Sequence, residues 1–217
     1  MKRKKQKNKK KIKEVTLSDI IENEIKFNGL RQGFSKSLNK FSKNLKYKNS
    51  IQHSDLTSIP FVTIDGEDSK DFDDAVWSES NKKHTKIMIA IADVSFYVEK
   101  DDLIDIEAKK RGNSFYFPNK VIPMLPEELS NNLCSLVPKK KRKSVVLEIN
   151  LEDGKVKKFK FYRAIIKSIA RLTYQEAENI FLEKNKNNKL FPIILNLFST
   201  FKILQENSKK RNKISFD

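Results

Sequence analysis

The residues best equipped for chemistry lie together in one short segment. Asp65-Gly66-Glu67-Asp68-Ser69-Lys70-Asp71-Phe72-Asp73-Asp74 holds six acids and one base, a local charge of −5 in a chain whose formal net charge is +17. Two bare carboxylates ~4 Å apart repel by about 4 kcal/mol at an effective dielectric near 20. Crowding several beside a folded core therefore asks for a compensating cation. Ligands that are all oxygen suit a hard ion, Mg²⁺ or Mn²⁺. A strongly basic chain attracts a nucleic-acid backbone, and an acidic pocket within it can hold metal against a scissile phosphate. That pairing points to metal-assisted phosphodiester hydrolysis. A solvated acidic loop is the competing reading, since charge runs are commonly no more than surface. A calcium loop of the EF-hand type is a poorer fit, because its D-x-[DN]-x-[DN]-G pattern and closing Glu are missing.

The flanking residues say how such a segment could be positioned. Residues 61–64 (FVTI) form a β-branched run ended by Asp65-Gly66, a strand followed by a turn, and Ala75-Val76-Trp77 opens a second strand. Asp65 thus ends one strand and Asp73-Asp74 begin the next. Fully extended, the nine steps between Asp65 and Asp74 would span about 30 Å, so a common site requires the loop to fold back. Gly66 permits the turn. Residues 86–94 (KIMIAIADV) read as a strand covered on both faces. A helix is expected over 103–111, capped by Asp101 or Asp102, with three basic residues in its last turn and Gly112 just past it. Residues 144–151 and 155–166 should pair as a hairpin around Asp153-Gly154. Thr173 and Glu176 form a capping-box pattern, and 190–205 is helical in period. The fold class expected is α+β, a mixed sheet with flanking helices.

Upstream the texture differs. Residues 1–13 carry nine Lys or Arg and no acid, a block that repels itself and is expected to be disordered, as a solubiliser or a nucleic-acid arm. Residues 15–50 are Lys- and Asn-rich. They show helical spacing at Leu17, Ile20, Ile21, Ile25 and again at Phe34, Leu38, Phe41, Leu45, which suggests a linker with one or two short helices. The expected division is therefore 1–50, tail and linker, and 51–217, the portion that holds the acidic segment. A single cysteine, Cys134, excludes an internal disulfide, and the longest apolar run, 87–92, is far too short to span a bilayer. A soluble cytoplasmic protein with no membrane partner is expected. Cys134 reads as a small buried hydrophobe, and His53 and His84 as isolated surface residues. The basic run at 138–143 reads as a connecting loop, solvated or in contact with phosphate.

The wording of the acidic segment resembles a known signature. Residues 63–76, TIDGEDSKDFDDAV, closely resemble that of the RNB family of exoribonucleases. The match continues in order through AIADVS (90–95), RGNSFYFP (111–118), IPMLPEELS (122–130), LCSL (133–136) and ARLTY (170–174). The resemblance implies Mg²⁺-dependent (or Mn²⁺-dependent), processive 3′→5′ hydrolysis of single-stranded RNA to nucleoside 5′-monophosphates. It implies that Asp65 and Asp74 are metal ligands and that Asp73 is the carboxylate most critical for the chemical step. Asp71 would help to hold metal or its water. Tyr116 matches the aromatic residue that stacks near the 3′-terminal nucleotide, and Arg142 falls where the family carries an Arg in the loop before a strand. The matched region is about half an RNB domain and stops after Asp217, so the family's later catalytic Arg and Glu and its OB-fold domains have no counterpart here. A truncated or split form is expected on this ground, with a separately encoded C-terminal half as a partner. A non-enzymatic basic RNA-binding fragment is the alternative.

The tail generates a test of its own. Each phosphate contact on a single strand steepens the dependence of log K on log salt by about 0.7. Deleting residues 1–13 should flatten that slope for RNA binding, measured by fluorescence anisotropy. An unchanged slope would make the tail a passive solubiliser.

Overall fold

The computed structural model describes residues 15–45, 52–81 and 83–211. The basic tail at 1–13 lies outside the described residues. Nine strands and five α-helices follow one another among them. Seven strands form one mixed sheet in the order β1-β8-β7-β4-β3-β2-β9. They are β1 (Ser54–Asp55), β2 (Val62–Asp65), β3 (Asp74–Ser80), β4 (His84–Ala92), β7 (Lys141–Glu152), β8 (Lys155–Lys167) and β9 (Ala170–Thr173). A separate hairpin joins β5 (Phe115–Phe117) to β6 (Lys120–Ile122). β1 runs parallel to β8 and β2 parallel to β9, while the other pairs are antiparallel. The α+β architecture with a mixed sheet is as the sequence led one to expect.

Local chemistry sets the element ends. At the tip of the β7–β8 hairpin, Asp153 and Gly154 adopt φ of 47° and 75°, and two left-handed residues match the twist of the strands they join. Helix α3 (Leu103–Arg111) starts where the Asp102 carboxylate accepts from the N–H groups of Ile104 and Asp105, and it ends at Gly112, φ 72°. Helix α4 (Tyr174–Glu183) opens with the capping box, Glu176 N–H donating to Thr173 Oγ1 and Thr173 N–H to Glu176 Oε2. α5 (Phe191–Lys210) follows it. β7 begins at Lys141, so Arg142 stands within a strand and not in the preceding loop.

Strand alternation divides the apolar residues between the two sheet faces. On one face Phe61, Ala75, Met88, Ala90, Val146, Ala164 and Ile166 build the main core beneath α3 and a π-helical turn, Glu128–Leu133. On the other, Ile64 and Leu172 pack with Ala177 of α4 and Ile194 of α5. The segment read as a linker is docked on this body. Helix α2 (Lys36–Lys43) inserts Leu38 into the main core, and helix α1 (Leu17–Phe27) packs Ile21 and Ile25 against Ile122 of β6. Arg31 makes a two-pronged pair with Glu107, both contacts 2.9 Å. Arg111 donates to the carbonyls of Arg31 and Gly33 and lies 3.9 Å over the Phe34 ring. His53 is half-buried, edge-on to Phe96 with ring centres 5.3 Å apart, where a surface position was expected; His84 is exposed.

Two phenylalanines of opposite setting test this core. Phe61 is fully buried and Phe159 on β8 is exposed. Phe61→Ala should cost about 3–5 kcal/mol, while Phe159→Ala should change stability by less than about 0.5 kcal/mol. Urea midpoints of the two variants would check both.

Candidate active site

The acidic segment leaves the sheet at the end of β2 and returns at the start of β3. Those strands are antiparallel neighbours paired at Val62 and Val76, so the loop must fold back and its two ends are adjacent. Asp65 pairs in register with Thr173 of β9 on its other side, and Asp74 with Ile91 of β4.

The backbone of the loop is pinned at several points. Arg171 donates from Nη2 to the carbonyls of Gly66 and Glu67, 2.6 and 2.7 Å. Ser135 accepts from Phe72 N–H and donates to the Lys70 carbonyl, both 3.1 Å. Leu136 N–H donates to the Phe72 carbonyl, and Ala92 N–H to that of Asp73, 2.8 Å each. These bonds hold like charges in one place. Arg171 and Ser135 lie in segments that carry the family resemblance, yet nothing in their residue types singled them out. Their partners are backbone carbonyls and an N–H group up to about a hundred residues away, which leave no mark in the pattern of side chains.

The electrostatics reflect the crowding. Burial raises the Asp73 carboxyl above its ordinary value, and Asp71, Asp74 and Asp65 raise it further. Burial is also the main cause at Asp65, where Asp74 and Asp71 add to the rise and Arg171 opposes it. Asp74 is raised by burial. Water still reaches Asp73 and Asp74. Asp71 accepts a 3.1 Å hydrogen bond from the Tyr116 hydroxyl. Tyr116, on β5, is 67% exposed, so its ring stands clear of the core. Asp71, Asp73 and Tyr116 line a cavity of about 240 Å³, with Ile91, Met124 and Cys134 among its apolar walls. A wider groove of about 720 Å³ continues from it between the acidic loop and the β5–β6 hairpin.

Cys134 is buried as expected, and its thiol is pushed up to about 12 by burial first and then by Asp73 and Asp93, so it is not a nucleophile. Arg142 stands apart from the carboxylates in its contacts, donating from Nε to the Ser135 carbonyl at 2.9 Å.

The donor set fits a hard cation. Asp65 Oδ2 is buried without a hydrogen-bond partner among the described residues, an arrangement that costs about 1–3 kcal/mol unless something polar or charged meets it. Among the described residues, no three acidic, His or Cys side chains close on a single point tightly enough to enclose an ion by themselves. An ion here would complete its shell with water and phosphate oxygens, as Mg²⁺ commonly does.

The family model described as the RNB domain matches residues 53–217. The chain belongs to the RNB family. Ribonuclease R of Vibrio parahaemolyticus is 44% identical over 169 residues, covering 75% of this chain and 20% of the relative. Ribonuclease R of Escherichia coli is 43% identical over 169 residues, covering 75% and 21%. The structure of Mycoplasma genitalium RNase R in complex with ribose-methylated single-stranded RNA superposes with a TM-score of 0.84 at 33% identity, covering 91% of this chain and 32% of that one. The chain spans about a fifth of the length of these curated relatives. Among the described residues, no helix is long and apolar enough to cross a membrane.

Raised carboxyl values make the site a source of instability at neutral pH. A group whose folded value lies above its unfolded one, near 3.8, favours the fold when protonated, and that favour is lost as pH rises through the folded value. Asp73→Asn should therefore raise the melting temperature at pH 7 in the presence of a chelator. The gain should shrink as pH falls and vanish below about 3.8, checked by thermal melts across pH.

Proposed function

We propose that the chain forms the N-terminal portion, over 51–217, of an RNB catalytic domain that hydrolyses single-stranded RNA from the 3′ end, in the cytoplasm. The observation that carries this reading is the carboxylate set at the β2–β3 junction, opening onto a groove with an exposed tyrosine tied to one of its acids. Asp65, Asp74 and Asp71 would hold Mg²⁺, or Mn²⁺ in its place. The ion would act as a Lewis acid on the scissile phosphate. The chain's own residues supply the rest. Tyr116 offers an exposed ring on which the terminal base can stack whatever its identity, and Asp71 fixes its hydroxyl. Asp73, at the cavity wall, orients the attacking water by accepting its hydrogen bond. In-line attack on phosphorus then breaks the bond to the 3′ oxygen of the preceding ribose. A nucleoside 5′-monophosphate leaves, and the shortened RNA keeps its 3′ hydroxyl. Arg142 would contact the RNA backbone at the margin. Ribonuclease R relatives and a structure of one of them with single-stranded RNA support an RNA substrate. The alternative, a basic RNA-binding protein without turnover, is favoured by the absence of a closed three-ligand group among the described residues.

The test is a 5′-labelled single-stranded RNA with Mg²⁺, incubated with the chain alone and with the C-terminal remainder of a relative's RNB domain. Shortening from the 3′ end is expected in the complemented mixture. Asp73→Asn should abolish it by several orders of magnitude while RNA binding stays within a few-fold. Activity that survives Asp73→Asn would overturn the catalytic assignment. Binding without turnover in every arm would favour the alternative.

A further inference from the structure

We propose that Arg171 is a positioning residue of the carboxylate site, fixing the outgoing limb of the acidic loop so that Asp65 is presented to a cation; this rests on the metal-binding reading above. Three residues on one sheet face carry the argument. Arg171 on β9 sits in register with Thr63 on β2, and Asp65 lies two residues further along β2, so all three side chains share a face. The guanidinium does not pair with the acid beside it. It makes no ion pair with Asp65 among the described residues, and its Nη2 goes to the carbonyls of Gly66 and Glu67, the first two residues after the strand. Arg171 Nε, Thr63 Oγ1 and Asp65 Oδ2 are all buried without hydrogen-bond partners among the described residues. Asp65 Oδ2 is thereby left as an unmet acceptor.

The two limbs of the loop are held differently. The returning limb is tied to Ser135, Leu136 and Ala92. The outgoing limb has the two Arg171 bonds and one long turn contact, Ser69 N–H to the Gly66 carbonyl at 3.3 Å. Arg171 also lies 5.6 Å from the centre of the Phe72 ring, so one side chain touches both limbs. A fixed positive charge beside a cation site opposes the cation. The contribution of Arg171 to cation binding is therefore geometric, and it acts against its own electrostatic effect.

This opposition gives the test a sign. If Arg171 were only a neighbouring charge, neutralising it would tighten cation binding. If it positions the loop, removing its two hydrogen bonds weakens binding by about 10–100-fold, the range seen when groups that orient metal ligands are lost. Mn²⁺ would be titrated into the 217-residue chain by electron paramagnetic resonance, for the wild type, Arg171→Gln, Arg171→Lys and Asp65→Asn, with circular dichroism to confirm folding. The wild type should bind Mn²⁺ and Asp65→Asn should lose it. Both Arg171 variants should bind more weakly, although Arg171→Lys keeps the charge. Equal or tighter binding by Arg171→Gln would overturn the inference. Should that variant fail to fold, undiminished binding by Arg171→Lys would overturn it instead. A wild type with no Asp65-dependent Mn²⁺ binding would overturn the metal reading on which the inference stands.

Discussion

Mutual repulsion among carboxylates is the constraint around which this part of the molecule is organised. A loop that gathers Asp65, Asp71, Asp73 and Asp74 would spread apart if left to its charges. It is confined by covalent attachment to two adjacent antiparallel strands and by hydrogen bonds to its backbone from Arg171, Ser135, Leu136 and Ala92. The sheet order follows the same need. Because β2 lies between β3 and β9, one parallel and one antiparallel neighbour meet at the end where Asp65 emerges, and β9 brings Arg171 to that end. Stability is given up locally, and the two packed faces of the sheet supply it from elsewhere.

The strands, caps and turns were largely legible, because their causes are local. Asp102 and Gly112 bound α3, Asp153-Gly154 turns the long hairpin, and Thr173 with Glu176 starts α4. The acidic cluster was legible as an anomaly of charge, and the family resemblance then gave each carboxylate an expected role. The clamps on the loop were not legible, since each joins residues far apart in sequence through the main chain. The docking of 15–45 was hidden for a related reason. Its apolar residues are too sparse to form a core alone, and the spacing that marks Ile21, Ile25 and Leu38 says nothing of the β6 strand and main core that receive them. Arg142 shows a further limit: a strand that begins four residues before its apolar run cannot be told from the loop that leads into it.

The site combines order and access in different parts. The carboxylates sit at strand ends, where backbone bonds restrict them, whereas Tyr116 projects from a two-stranded hairpin with most of its surface free. One hydrogen bond, Tyr116 hydroxyl to Asp71, links the two. The acidic wall is thus held by main-chain bonds, and the aromatic one faces solvent.

The placement of α1 bears on the arm that precedes it. Near the start of that helix, Ser18 Oγ accepts from Asn119 Nδ2 at 3.1 Å, and Lys120 pairs with Glu22 at 2.6 Å. Asn119 and Lys120 belong to the rim of the groove beside the acidic loop. The nine basic residues of 1–13 are thus tethered at the mouth of that groove, on a chain whose greatest reach is about 45 Å. Any polyanion seated in the groove would therefore leave past a high local density of positive charge.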